Sequence, residues 1–518
     1  MTQPETAHTH DPDVSRSELK EATFTGVRWV LVARMVGEIS AFGGAVTLAR
    51  LIPPAEFGHA AVALAIAPLA VIVTFEGCAS ALVQRKTVSR ADFEGATVLS
   101  LACGLILTLL TAFLAEPLGS FVFGDRTASL IALAAPVFLL AAIGAVPRAL
   151  LWRRLDFRRV SMIEVLGMLV GAAVAVVLAL VYGLDAEAII GGALATTAAN
   201  SLLLFASAPV RPALIRAPAL RGIASFGVPA ALAGLVHVAF TNVNYLILAA
   251  RMSPTQAGLY WRAFQIGVSY QEKLSGVMLR IAFPIYARTS SPEDLRHLHQ
   301  RASRLHATIL LPLLALLVVC APVAVPWAFG PAWVDAVAPT QVLAVAGMIA
   351  AVLTGYPQVM LAVGQPRALL RFNIAILVLY AIVTIVTIPY GLTAVCIAVV
   401  GVHAVILLGV YGLLLRRYVG IPISRLFSDI APAAVGCVTL VVVTAPLVDV
   451  LRGAGLPAPV LLAIAGIAGG ATYLITIRFA FHAAWSDVEL IARRVMPSRR
   501  ARRRDDATAV PALGPGVS

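Results

Sequence analysis

Apolar residues come in blocks of about twenty along almost the whole chain, separated by short polar joints, and a helix of that length crosses a bilayer core. Fourteen blocks are read, near 24–48, 59–80, 95–115, 128–148, 162–182, 186–207, 223–249, 259–285, 304–328, 337–362, 369–389, 391–415, 428–450 and 457–481. The expected class is therefore all-α, a polytopic membrane protein with about 14 transmembrane helices. The joints carry a second pattern. Ala49, Arg50, Pro54, Gly58, Ala63 and Ile66 return about 200 positions later as Ala250, Arg251, Pro254, Gly258, Ala263 and Ile266, again between two apolar blocks. A tight link punctuated twice by the same proline and glycine implies two parallel halves, and duplicated membrane halves are common among transporters.

Composition agrees with the blocks. Of 518 residues 60% are hydrophobic and 13% charged, with a mean hydropathy of +0.91, a balance that no soluble domain sustains without a very large exposed apolar surface. Residues 1–22 are polar and lack the short apolar core and small-residue site of a cleavable leader. The 39 Lys and Arg residues fix an orientation: with both termini cytoplasmic, four (Arg50, Arg126, Arg251, Arg452) fall outside, five (Arg28, Arg34, Arg262, Lys273, Arg280) fall within spans, and the rest lie inside. The net charge of +13 is then a topology signal and implies no nucleic-acid partner. The basic tail around Arg499–Arg504 anchors to the inner surface, where anionic membrane lipids are partners, and Ser486 with Glu489 predicts a short interfacial helix before it.

Several chemistries are disfavoured. The longest loop between spans, near 288–304, is too short for a catalytic domain. The Asp-x-Asp pair Asp11 and Asp13 sits in the polar tail, no phosphate-binding glycine loop is present, and the five cysteines are isolated, with neither disulfide nor metal spacing. No cofactor is expected, and the coupling ion is left open. The informative residues are charges placed in apolar blocks, where an ionisable group is costly unless it faces a cavity or a partner. Arg34 and Glu38 are four apart in the first span and can pair. In the eighth, a uniform helix puts Arg262, Gln265, Ser269, Glu272, Lys273, Gly276 and Arg280 within an arc of about 100°. That stripe has a net charge of +2, which suits a phosphate-bearing substrate. In the seventh, His237 is read as bonded to a neighbouring helix, and of Asn242 and Asn244, two apart, at most one lines a cavity.

Beyond these features, Leu48-Ala49-Arg50-Leu51-Ile52-Pro53-Pro54-Ala55-Glu56-Phe57-Gly58, Ala81-Leu82-Val83-Gln84-Arg85-Lys86, and the run from Pro147 to Phe157 resemble a known group. Gly258-Leu259-Tyr260 and Phe329-Gly330-Pro331-Ala332-Trp333 look similar to it too. The chain resembles the bacterial oligosaccharide flippases, the Wzx-type polysaccharide transporters of the multidrug and oligosaccharidyl-lipid exporter superfamily. The resemblance implies two six-helix bundles around a central cavity, 23–221 and 222–417, with two additional helices over 418–482. A cytoplasmic tail, 1–22, precedes them, and an interfacial helix with a basic tail, 483–518, follows. It further implies a polyprenyl-pyrophosphate-linked oligosaccharide as substrate, the bacterial cytoplasmic membrane as location, and other polysaccharide-assembly proteins as partners. A drug/cation antiporter or peptidoglycan-precursor flippase of the same superfamily is the alternative. The basic stripe disfavours cationic drugs, and the short loops disfavour a glycan polymerase or glycosyltransferase.

Overall fold

The computed structural model describes residues 36–85, 88–213, 217–269, 271, 275, 292–481 and 485. Among the described residues there are helices and turns but no strand. Eleven helical segments are long and apolar enough to cross a membrane, from Pro54–Glu76 to Ala458–Ala480. They correspond to the second to sixth and ninth to fourteenth expected spans. The seventh lies in one 35-residue helix, Ala217–Arg251, while the first and eighth run into residues outside the described set. The chain is a multi-pass, all-α membrane protein, and fourteen spans are compatible with this arrangement.

The joints explain where the helices start and stop. Pro53 is extended, as a residue before proline prefers, and Pro54 opens helix Pro54–Leu64 from the first turn, where its missing N–H leaves no bond unmade. Pro254 opens the matching 11-residue helix, Pro254–Phe264. Two further echoes emerge at helix ends. Phe123-Gly124 closes helix Ser120–Phe123 and Phe329-Gly330 closes helix Pro292–Phe329, with the glycines at φ of +83° and +99°. Tyr182-Gly183-Leu184 and Tyr390-Gly391-Leu392 repeat the device, with φ of +63° and +90°. Left-handed glycine stops after an aromatic residue at matching points of two halves extend the duplication beyond the first joint.

The chain forms two compact units. The first comprises Met1–Trp261 with Ala328–Trp333 and Asn373–Pro389; the second comprises Arg262–Trp327, Val334–Phe372 and Tyr390–Ser518. In the first, the echoed joints meet each other. A Cβ on Gly58 would lie 2.0 Å from the Pro254 carbonyl oxygen, and one on Gly258 would lie 1.9 Å from that of Pro54, a reciprocal contact with the form of a local two-fold axis. Helices Phe157–Tyr182 and Ala186–Ser207 also pack through small residues: Gly167, Gly171 and Ala175 face Asn200, Thr196 and Gly192. The second unit uses the same device where a Cβ on Gly347 would lie 1.9 Å from the Gly267 carbonyl oxygen. There the Tyr473 hydroxyl donates to the Thr308 carbonyl, 2.7 Å away, joining helix Ala458–Ala480 to Pro292–Phe329. In a bilayer, where burial supplies no hydrophobic drive between helices, close backbone approach and such hydrogen bonds hold the units together.

Candidate functional site

The polar positions expected at membrane depth divide between the two units. In the first, Glu38 is half-buried on a helix over 36–51, and Arg34 lies outside the described residues. Asn242 is engaged on its own helix: its Nδ2 donates to the Val238 carbonyl at 2.7 Å and its Oδ1 accepts from the Tyr245 hydroxyl at 2.6 Å. Asn244, 4% exposed, binds differently. Its Nδ2 donates to the Tyr260 hydroxyl and its Oδ1 accepts from Thr384 Oγ1, both at 3.3 Å, linking helices Ala217–Arg251, Pro254–Phe264 and Pro366–Thr387. Thr384 and Tyr260 were not singled out from the sequence. Thr384 and Thr387, three apart in an apolar span, were the available signal for a polar helix face. The side chain of His237 lies outside the description.

In the second unit, Arg262 is buried on helix Pro254–Phe264, just before that helix runs on into the turn Gln265–Ser269. Gln265 and Ser269 are half-buried, and Val268 between them is 1% exposed. Glu272, Lys273, Gly276 and Arg280 fall outside the described residues. The stretch Gln265–Ser269 is a π-helical turn, and Gly267 packs its backbone on Leu343 and Ala344 of helix Val337–Val352. A π turn holds more residues than an α turn, so the uniform step behind the expected arc does not run through 265–269. Nearby, Gln271 accepts from Ser275 Oγ at 3.3 Å, and Thr354 Oγ1 donates to Ser275 Oγ at 3.4 Å. Among the described residues no cluster of His, Cys, Asp and Glu has metal-holding geometry.

The motifs behind the family resemblance turn out to be packing nodes of the first unit. At one, the Trp333 indole donates to the Ala49 carbonyl and Arg50 Nε to the Ala328 carbonyl, both at 2.8 Å. Phe57 meets Trp333 edge to face at 5.2 Å, and Trp333 is fully buried. At another, Arg153 donates to the carbonyls of Leu82 and Arg85, which end the short helix Ser80–Gln84, and Trp152 meets Phe75 edge to face at 5.1 Å. A third node was missed from the sequence. Arg126 Nη2 binds Glu56 at 2.7 Å and Glu187 at 3.0 Å, and its Nη1 also binds Glu187. Both carboxylates stand in first helical turns, where the dipole favours anions, so one guanidinium ties together three helix starts. Beside it, partial burial and the carboxylates of Glu56 and Glu187 hold the Asp185 carboxyl above its ordinary range, against the pull of Arg126.

Parallel repeats of membrane helices with small-residue crossings and buried polar links define a polytopic membrane protein of transporter architecture. The polysaccharide biosynthesis protein family matches residues 47–338, and the chain belongs to it. Among curated relatives, the lipopolysaccharide biosynthesis protein WzxC of Escherichia coli K12 is 28% identical over 69% of this chain and 73% of its own. The teichuronic acid biosynthesis protein TuaB of Bacillus subtilis 168 is 25% identical over 60% of this chain and 65% of its own. Among solved structures, the lipid II flippase MurJ in an inward closed conformation superposes with a TM-score of 0.66 at 13% identity, covering 86% of this chain and 97% of that one. An inward-facing multidrug-resistance MATE transporter follows with a TM-score of 0.55 at 16% identity, covering 79% and 98%. The chain therefore shares its fold with both.

Proposed function

We propose that this chain is a flippase that moves polyprenyl-pyrophosphate-linked oligosaccharide repeat units from the cytoplasmic to the outer leaflet for surface polysaccharide synthesis. The carrying observation is the family match over 47–338 on a chain whose described residues are almost all membrane helix and short joint. A protein of polysaccharide biosynthesis built this way contributes by moving a lipid-borne substrate rather than by remaking glycosidic bonds, so it acts as a carrier and not as an enzyme. The names of WzxC and TuaB and the MurJ-like fold support this reading.

Within it, the parallel repeats 23–221 and 222–417 are the lobes that alternate in opening, and both termini face the cytoplasm of a bacterial inner membrane. Arg34, Arg262, Lys273 and Arg280 meet the pyrophosphate, with Glu38 and Glu272 balancing their charge, and Gln265, Ser269 and one of Asn242 and Asn244 supply polar contacts to the cavity. Other polysaccharide-assembly proteins act before and after this step. The test is deletion of the gene followed by quantification of lipid-linked glycan in each leaflet. Intermediates should accumulate on the cytoplasmic side, and surface glycan should return with the plasmid-borne gene. Unchanged surface glycan in the deletion strain would refute the flippase assignment.

A further inference from the structure

In the first unit, span Pro54–Glu76 ends on a carboxylate. Its last five residues, Ile72–Glu76, form a π turn, closed by the Gly77 N–H donating to the Ile72 carbonyl at 2.9 Å. The turn changes which side chain faces outward. Pro68 and Val71 are exposed, and at about 100° per residue an unbroken α-helix would bring Phe75 next onto that open face and turn Glu76 roughly 100° away from it. A π turn holds one residue more, so Glu76 takes the outward place. Phe75 is instead 6% exposed and meets Trp152 edge to face at 5.1 Å, while Glu76 is only half-buried. The arrangement is held by its surroundings: Thr74 Oγ1 donates to the Ala70 carbonyl at 2.7 Å and Ser80 Oγ to the Glu76 carbonyl at 2.6 Å. Gly77 lies against helix Ala217–Arg251, where a Cβ on Gly227 would stand 1.8 Å from the Gly77 carbonyl oxygen. The span after the second echoed joint also carries a π turn, Gln265–Ser269, with half-buried polar side chains at its ends.

Among the described residues the Glu76 carboxylate has neither an ion pair nor a hydrogen bond; only its main-chain carbonyl is bonded. The arginines at this end of the unit are committed elsewhere, Arg85 to Asp92 at 3.8 Å, Arg148 to Glu164 at 3.6 Å, and Arg153 to the carbonyls of Leu82 and Arg85. An ionisable side chain in a span is costly unless it faces water or a partner, so the outward face of Glu76 belongs to an aqueous surface. Counted from Pro54, Glu76 stands about 30 Å along the span at 1.5 Å per residue. With both termini cytoplasmic, that is the side from which the substrate enters.

We propose that Glu76 recognises the sugar head of the substrate, its two carboxylate oxygens accepting hydrogen bonds from the hydroxyls of a vicinal diol. An ionised carboxylate only accepts, so it binds a sugar rich in hydroxyl donors and repels a pyrophosphate, which is anionic and offers none. One group therefore both selects and orients, drawing the glycan toward Glu76 and keeping the phosphates away from it. The π turn supplies the aim, since on a plain α-helix the same position would carry the Phe75 ring. The inference rests on the flippase reading and gives that reading a residue for the glycan.

The test uses the full-length protein in nanodiscs and three probes. They are the oligosaccharide released by mild acid from the lipid-linked intermediate of a polymerase-deficient strain, the same oligosaccharide permethylated, and undecaprenyl pyrophosphate carrying no sugar. Affinity for the free oligosaccharide should fall about ten-fold or more in Glu76→Gln, the effect of losing a hydrogen bond to a charged group, and Glu76→Asp should keep part of it. The permethylated form has no hydroxyl donor and should bind wild type and Glu76→Gln equally weakly. Undecaprenyl pyrophosphate should bind Glu76→Gln no less tightly than wild type. Equal oligosaccharide affinity in wild type and Glu76→Gln overturns the proposal, as does a wild type that does not bind the oligosaccharide. A parallel loss of undecaprenyl pyrophosphate binding also overturns it, because it would make Glu76 part of the scaffold. In the deletion strain, surface glycan restored in full by Glu76→Gln overturns the role of Glu76 alone, whereas normal glycan without any copy of the gene refutes the flippase reading itself.

Discussion

Replacing Gly58 or Gly258 by alanine tests whether the duplicated joint is a structural axis. A Cβ at Gly58 would stand 2.0 Å from the Pro254 carbonyl oxygen, and real Cβ atoms essentially never come within 3.0 Å of another heavy atom, so the crossing must open by about 1 Å. The obstacle is backbone, which cannot swing aside as a flexible side chain would. Overpacking of this kind costs about 1–3 kcal/mol, and an opening of that size also forfeits about a quarter to a half of each dispersion contact along the crossing. Each single substitution should therefore destabilise by about 3 kcal/mol, and the double variant by clearly less than the sum, because helices already parted for one methyl accommodate its reciprocal. Gly43→Ala is the control: a Cβ there meets nothing within 4 Å. The measurement is apparent melting temperature in detergent by size-exclusion of a fluorescent fusion, where each single variant should melt ~3 °C below Gly43→Ala. Gly58→Ala and Gly258→Ala melting together with Gly43→Ala would refute the crossing, and strictly additive losses would refute its reciprocity.

The remaining expectations concern charge and access. Arg126→Gln removes two exposed ion pairs, about 0.5–1 kcal/mol each, and leaves Glu56, Glu187 and Asp185 mutually repelling. Carboxyls in such a cluster have folded-state pKa values above their unfolded ones, so the folded variant binds more protons and its stability should rise as pH falls toward the carboxylate range; a loss independent of pH would contradict the clustering. Cysteine at Gln265 or Ser269 should react with water-soluble thiol reagents much faster than cysteine at Val268, which is 1% exposed, and equal labelling would sink a pathway along this turn. Lys273→Ala with Arg280→Ala should abolish surface glycan at normal protein abundance, with Arg substituted for Lys273 retaining function; full glycan from the double variant would remove the phosphate-binding role. Cysteines placed after Arg159 and Arg417 should label from the cytoplasm and those after Asp185 and Asp335 from outside, and an outer signal at Arg159 would reverse the topology.

The helices were legible because bilayer thickness imposes one length on every span. The duplication was legible because Pro54, Gly58, Pro254 and Gly258 sit where a turn tolerates few residues, though only the structure shows that the two glycines touch. The left-handed stops at Gly124, Gly183, Gly330 and Gly391 were readable from the repeated Phe-Gly and Tyr-Gly-Leu dipeptides and tripeptides, which the drift in spacing between the halves hid. The arc through Arg262 and Arg280 was drawn with a single angular step, and no sequence signal marks the π turn at Gln265–Ser269, which exists because Gly267 lets the backbone settle on Leu343 and Ala344. Long-range partners such as Thr384 for Asn244 are invisible to periodicity, since the residues are 140 positions apart.

These differences have a consequence for how specificity is carried. The motifs that make the family recognisable, around Arg50, Arg153 and Trp333, spend their polar groups on main-chain carbonyls at helix ends, and their aromatic rings on each other. Groups occupied in that way fix the scaffold and have little left with which to select a glycan. On the proposed site, selection would fall on side chains outside those nodes, such as the half-buried Gln265 and Ser269 on the π turn. A π turn is a suitable place for this, because its extra residue re-aims side chains at small cost to the helix on either side. Exchanging Gln265 and Ser269 for the residues of a relative should therefore alter which lipid-linked glycan is exported while leaving the melting temperature unchanged. Exchanges at Arg153 or Trp333 should instead lower the melting temperature and export together, whatever the glycan.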